Sequence, residues 1–196
     1  MRGFLLGLLD SLAPEGCPAC ETPSRGFCEA CAPLLEPLAH GPACFEYGGP
    51  LADALRRLKY GKRIELVRPL AQLLLVRADE HRGEVDMVVP VPPSAARRRD
   101  VGFDWMAMLA EPLASELGVP LVRDALMRRE GRRRQAVLGR NARLVNMDGA
   151  FDARPVKGRV LVVDDVRTTG ATLRAARDVL ERAGASRVRV LALAAS

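Results

Sequence analysis

The run Val160 to Leu173, Val-Leu-Val-Val-Asp-Asp-Val-Arg-Thr-Thr-Gly-Ala-Thr-Leu, restricts the fold more than any other part of this chain. Four successive apolar residues, Val160 to Val163, have the composition of a strand buried on both faces. Asp164 and Asp165 follow, and then Thr168, Thr169, Gly170, Ala171 and Thr172 lead into a helical pattern. A strand, a turn and a helix start in this order belong to an open parallel sheet, where ligands bind beyond the carboxyl ends of the strands. A Gly/Thr turn that opens a helix offers free backbone N–H groups to an anion, and the helix dipole favours negative charge there. Two aspartates would repel that anion, so they fit hydroxyl groups or a divalent cation instead. A ligand with a phosphate at one end and a sugar diol beside it satisfies both halves. The competing reading is an ordinary strand-to-helix turn with a threonine cap.

The same segment resembles the phosphoribosyl pyrophosphate (PRPP) signature of type I phosphoribosyltransferases. The resemblance implies that Asp164 and Asp165 hold the ribose hydroxyls and that Thr168, Thr169, Gly170, Ala171 and Thr172 hold the 5′-phosphate.

Upstream, Cys17, Cys20, Cys28 and Cys31 form Cys-x2-Cys-x7-Cys-x2-Cys. Two such knuckles can close a tetrahedral four-thiolate site around Zn²⁺. Two disulfides or a redox Cys-x-x-Cys are the alternatives, and a reducing compartment disfavours the first. The segment is too poor in apolar residues for its own core, so metal binding would supply much of its folding energy. Cys44 stands alone and reads as a structural or free thiol. Residues 1–45 are therefore expected to form an N-terminal helix and zinc-ribbon module, and residues 46–196 a phosphoribosyltransferase-like domain.

Charge divides the chain in the same place. Residues 1–45 hold two basic and five acidic side chains, whereas residues 46–196 carry 28 basic and 19 acidic ones, a net of +9. A basic main domain suits a polyanion, either a phosphorylated small molecule or nucleic acid. Aromatic residues are only 4% of the chain, which argues against an extensive base-stacking platform. The apolar run Phe4 to Leu9 is too short to span a membrane, so no membrane insertion is expected. It reads as a short amphipathic helix of a cytoplasmic protein.

Between these landmarks, residues 32–50 read as a connector, with four prolines and three glycines. Amphipathic helices are expected over 51–59 and 64–76, and a strand over Val85 to Pro92. Ser94 to Arg99 reads as a cationic loop placed for a pyrophosphate. Pro112 should kink or split the helix between Gly102 and Gly118. A strand is expected over Val119 to Met127. The basic run Arg128 to Gln135 reads as a solvated loop, the resemblance to phosphoribosyltransferases implies equally a mobile loop that folds over PRPP during catalysis, and Arg140 to Asn146 reads as a short helix. The last helix, Thr169 to Ala183, should end at Gly184, before a final strand from Ser186 to Ala194. Strands alternating with helices predict an α/β protein with a mostly parallel sheet.

Taken in order, several pieces resemble the ComF family, competence-associated proteins of phosphoribosyltransferase type. These are the four-cysteine ribbon, Tyr47-Gly48-Gly49-Pro50-Leu51 with Leu58-Lys59-Tyr60, and Pro90-Val91-Pro92. Gln135, Leu138, Arg140, Arg143, Asn146, Gly149, Ala150 and Phe151 fit a further family pattern. After Pro-Val-Pro the family reads R-x-R-x-R-G-F-N-Q. Arg97, Arg99, Gly102 and Phe103 fit it, while Val101, Asp104 and Trp105 replace an arginine, an asparagine and a glutamine. Losing a cation and gaining an anion there should weaken anion binding. The resemblance implies PRPP as ligand, Arg97 and Arg99 on the pyrophosphate side, and Mg²⁺ with the pyrophosphate. It leaves two readings open. One is transfer of the phosphoribosyl group to an unidentified acceptor. The other is a non-catalytic PRPP- or nucleotide-binding factor in DNA uptake that contacts single-stranded DNA or a competence helicase-type protein. Self-association stays open on the sequence.

Overall fold

The computed structural model describes residues 16–129 and 149–196. The expected N-terminal helix, most of the basic run 128–135 and the short helix at 140–146 lie outside the described residues. Among the described residues, eleven α-helices and β-strands carry the fold. They are β1 (Ala43–Glu46), α1 (Gly49–Tyr60), α2 (Val67–Leu74), β2 (Met87–Pro90), α3 (Ala95–Val101), α4 (Trp105–Leu117), β3 (Leu126–Arg128), β4 (Phe151–Ala153), β5 (Gly158–Arg167), α5 (Ala171–Arg182) and β6 (Ala185–Ala195).

Four strands form a parallel sheet in the order β1-β6-β5-β2. β5 is central, and its apolar run behaves as a strand covered on both faces should. Leu161 and Val163 pack into one core with α1, α2 and α4. Val160 and Val162 point the other way, into a second core with Leu173, Ala176 and Leu180 of α5 and Phe151 of β4. A side-chain period of two between two buried layers is why the run reads as continuously apolar. Both sheet edges are covered. Pro37 bridges Phe45 on the β1 side, and Leu121 bridges Val88 on the β2 side.

Several local expectations change. Residues 32–50 are more than a connector, because Ala43, Cys44 and Phe45 are buried in β1. Ser94 to Arg99 is no loop. The Ser94 hydroxyl accepts from the Arg97 N–H at 3.2 Å and starts helix α3. The helix over 102–118 runs through Pro112, and the break comes earlier, at Gly102. Gly102 adopts φ +89° as the left-handed end of α3, and the Asp104 carboxylate caps α4 by accepting from the Ala107 N–H at 3.1 Å. The expected strand over 119–127 shrinks to one bridge at Leu121 and to β3, which pairs antiparallel with β4. The last helix starts at Ala171, two residues later than expected, because Gly170 (φ +73°) occupies its N-cap.

Candidate ligand cleft and four-cysteine centre

On its β2 side, the β5 ladder ends with Pro90 opposite Val163. β5 continues to Arg167 against β6, so Asp164 and Asp165 stand just past the end of β2. The polypeptide leaving β2 turns away there through Pro92 and Pro93. That divergence opens a cleft of about 320 Å³ whose walls include Asp164, Asp165, Thr172, Lys59, Arg97 and Arg128. Of the residues expected at the site, Asp164, Asp165, Thr172 and Arg97 meet in this one cleft. Thr168 and Thr169 lie exposed on the turn beside it, and Gly170 and Ala171 are buried at the start of α5. Arg99 is exposed on α3 and does not line the cleft.

The two aspartates differ. The Asp165 carboxylate accepts a hydrogen bond from the Trp105 indole N–H at 2.9 Å and pairs with the Lys59 ammonium at 2.8 Å. Asp164 feels the Lys59 and Arg128 charges, which act against the effect of its burial. Its Oδ1 accepts from the Asp165 backbone N–H at 2.9 Å. Burial pushes the Asp164 carboxyl up, to about 7, and the neighbouring Asp165 charge adds to the rise. Asp165 is thus a cation-paired carboxylate, and Asp164 a buried one with acceptor capacity to spare. A raised carboxyl beside a second carboxylate in a cleft makes Asp164 a candidate functional group.

In the sequence Lys59 stands out only within the family-like run Leu58-Lys59-Tyr60, and Trp105 only as a departure from a family pattern. The structure brings both onto one carboxylate. The other two departures lie away from the cleft. Val101 is buried in the core, and Asp104 caps α4. On the far wall Arg97 stacks over the Tyr60 ring at 4.9 Å, and Arg128 over Phe151 at 4.7 Å while donating to Pro92 O. Planar cations held flat against rings are pre-placed for an anionic ligand.

The sulfur atoms of Cys17, Cys20, Cys28 and Cys31 all lie within 4.8 Å of one another. Cys20 and Cys28 are 3.6 Å apart, and a tetrahedral four-thiolate zinc site needs sulfur separations of about 3.8 Å. The Thr22 hydroxyl and backbone hold the Cys20 thiol down, to about 6, and the Cys28 N–H points at Cys17 Sγ at 3.5 Å. Donors aimed at sulfur favour thiolates, the form that binds metal, while burial pushes the Cys31 thiol up, so a bound cation would have to hold Cys31 ionised. The donor set, spacing and polarity therefore fit Zn²⁺. Cys44 is separate. It is buried in β1, and burial pushes its thiol up to about 12.

Comparison with known proteins agrees with the geometry. Residues 107–196 match the family model described as phosphoribosyl transferase domain. Over 187 residues the chain is 30% identical to the DNA utilization protein YhgH of Escherichia coli, covering 90% of this chain and 82% of that protein. It is 28% identical over 158 residues to competence protein F of Haemophilus influenzae (76% and 69% of the two chains). It is also 26% identical over 190 residues to competence protein ComFC of Streptococcus pneumoniae (94% and 82%). Among solved structures, the allosteric regulatory enzyme of purine biosynthesis is similar with TM-score 0.46 and 24% identity, over 65% of this chain and 26% of that one. A purine phosphoribosyltransferase from Pyrococcus horikoshii is similar with TM-score 0.40 and 21% identity, over 66% and 73%. The parallel sheet, with paired acids near the end of β5 and a Gly/Thr turn after it, is the type I phosphoribosyltransferase fold, and residues 107–196 carry the phosphoribosyl transferase domain match. Within that class, with its N-terminal four-cysteine cluster, the chain belongs to the ComF family. No helix among the described residues is long and apolar enough to cross a membrane.

Proposed function

We propose that this protein binds PRPP in the cleft beside β5 and transfers its phosphoribosyl group to an unidentified nucleophile. The observation that carries the reading is the meeting of Asp164, Asp165 and Thr172 in one cleft whose other wall is cationic. The 5′-phosphate would lie on the turn Thr168 to Thr172, against backbone N–H groups at the start of α5. The ribose hydroxyls would donate to Asp164, and to Asp165 at its outer edge. Arg97 and Arg128 would face the pyrophosphate, with Arg99 further out. Among the described residues, the four cysteines are the only group of three or more metal-ligating side chains, so Mg²⁺ would enter with the pyrophosphate. Catalysis would then rest on positioning and on charge stabilisation at the sugar, with Asp164 and Asp165 acting through the ribose hydroxyls. Residues 46–196 would carry this activity, and residues 1–45 the zinc. The setting would be the cytoplasm.

The net +9 of residues 46–196 and the names of the relatives support a second reading. In it the protein binds PRPP or a nucleotide without turnover and contacts single-stranded DNA or a helicase-type partner during DNA uptake. Release of pyrophosphate from PRPP, with candidate acceptors supplied, separates the two.

The 5′-phosphate position is tested by Gly170→Val. Gly170 holds φ +73°, and an added Cβ would lie 3.1 Å from Arg167 Nε and 3.2 Å from Arg174 Nη1. A β-branched residue there strains the turn and fills the space a phosphate needs. We expect Gly170→Val to raise the PRPP dissociation constant at least tenfold, equivalent to about 1.4 kcal/mol. Unchanged affinity in a calorimetric titration would move the phosphate elsewhere.

Asp164 also makes a prediction that needs no ligand. Its carboxyl is raised from an ordinary 3.8 to about 7 in the folded protein. The proton-bound acid therefore contributes stability that is complete below about pH 4 and is lost as pH rises towards 7. Asn keeps an oxygen to accept the Asp165 N–H but carries no charge. Asp164→Asn should be more stable than wild type at pH 7.5, by an order of ~1–3 kcal/mol, with the gain vanishing near pH 4. Denaturant unfolding across this range checks it, and a variant less stable at pH 7.5 would contradict it.

A further inference from the structure

Helix α1 stands between the four-cysteine module and the ligand cleft, and two of its side chains reach in opposite directions. Arg57 Nη1 donates to the carbonyls of Pro18 at 3.0 Å and Ala19 at 3.2 Å. Those carbonyls belong to the knuckle between Cys17 and Cys20. Arg57 Nη2 pairs with Glu21, the residue that follows the knuckle. Two positions on, Lys59 pairs with Asp165 at 2.8 Å. At about 100° per residue, positions two apart on an α-helix point about 200° apart. One helix therefore holds the knuckle on one side and the cleft carboxylate on the other.

Neither contact is a loose surface pair. The Arg57 side chain is 21% exposed, Lys59 is 18% and Asp165 is 11%; Glu21 is 67% exposed, so the two carbonyls, not Glu21, anchor Arg57. Arg57 uses one guanidinium nitrogen on two adjacent carbonyls, which asks for a fixed orientation of that short loop. The loop is short, and thiolates bound to a metal would fix its geometry. No glycine or proline interrupts α1 between Leu51 and Lys59, so a shift at Arg57 is carried to Lys59.

We infer that the four-cysteine module is a positioning element for the ligand cleft, with Arg57 and Lys59 as the positioning residues that join them through α1. The inference rests on zinc in the module and on the reading of the cleft as a ligand site. In this arrangement Lys59 keeps Asp165 in place beside Trp105, and Asp164 is left as the acceptor facing the ligand. Loss of the metal would loosen the knuckle, release Arg57 and displace Lys59 from Asp165. The cleft would then lose affinity although none of its own residues has changed.

The chain supplies its own reporter. Trp105 is the only tryptophan, and its indole N–H is bonded to the carboxylate that Lys59 holds. The experiment uses the zinc-loaded full chain, with wild type, Arg57→Ala and Lys59→Met compared. Zinc content, tryptophan emission and PRPP affinity are measured before and after chelation. Arg57→Ala should keep one zinc per chain, yet shift the emission and raise the PRPP dissociation constant about tenfold, as expected for losing a charged hydrogen-bond link. Chelation should shift the wild-type emission in the same direction and add little in Arg57→Ala or Lys59→Met. The inference is overturned if zinc-loaded Arg57→Ala has wild-type emission and affinity, or if chelation shifts it as much as wild type. If wild type binds no PRPP, the PRPP reading fails by itself, and the emission arm still decides the coupling.

Discussion

Asp164→Asn combined with Asp165→Asn is expected to lower PRPP affinity by more than a hundredfold while the sheet and the zinc content stay as they are. Each substitution keeps the size of the side chain and removes its charge. A hydrogen bond to a charged acceptor contributes about 1.5–3 kcal/mol, so removing the charge at both positions, and turning one oxygen of each into a donor that faces the ribose hydroxyls, costs about 3–6 kcal/mol in binding. At 1.4 kcal/mol per factor of ten, that is a hundredfold at the least. The effects will not simply add, because the two carboxylates are adjacent and interact. On stability the two changes oppose each other. Asp164→Asn relieves a buried charge, whereas Asp165→Asn leaves Lys59 without its partner and weakens the bond from Trp105. Calorimetric titration with PRPP and Mg²⁺ measures the loss, and wild-type affinity in the double variant would contradict the assignment.

The second large effect is at the cysteines. Cys17→Ser with Cys28→Ser removes one thiolate from each knuckle, and a serine hydroxyl does not replace a thiolate towards Zn²⁺ at neutral pH. Structural four-ligand zinc sites have apparent binding free energies of about 10–16 kcal/mol, so halving the thiolates should take the site from stoichiometric to empty. Elemental analysis of metal-replete protein should find about one zinc per wild-type chain and almost none in the variant. Cys44→Ser is the control. Cys44 lies buried in β1, apart from the sulfur cluster, and its replacement should leave zinc bound. Stoichiometric zinc in the Cys17/Cys28 variant would refute the four-thiolate assignment.

Much of the fold was legible because its strongest signals are local. Val160 to Val163 announce a strand covered on both faces, and the structure sends alternate residues into two cores. The aspartate pair, the Gly/Thr turn and the cysteine spacing lie within short windows, and each window carries its own chemistry. What stayed hidden depends on contacts distant in sequence. Trp105 meets Asp165 across 60 positions, and no local pattern marks an indole as the partner of a carboxylate. Lys59 stands off the apolar face of an amphipathic helix, and no local pattern says which carboxylate it pairs with. β1 is only four residues long and follows a proline-rich stretch, so turn signals outweighed it. Ser94 and Asp104 acted as helix caps where their neighbours suggested a loop and a charge defect, and burial of Val101 was decided by packing. Arg57 read as surface charge, because its acceptors are main-chain carbonyls 38 and 39 residues away.

The most direct test of the central claim is a crystal structure of the zinc-loaded protein with PRPP and Mg²⁺. The account predicts the 5′-phosphate on the backbone N–H groups of the turn from Thr168 to Thr172. It predicts a ribose hydroxyl within hydrogen-bond distance of the Asp164 carboxylate, and the pyrophosphate towards Arg97 and Arg128. PRPP bound outside this cleft, or bound within it with its 5′-phosphate away from Gly170, would contradict the account.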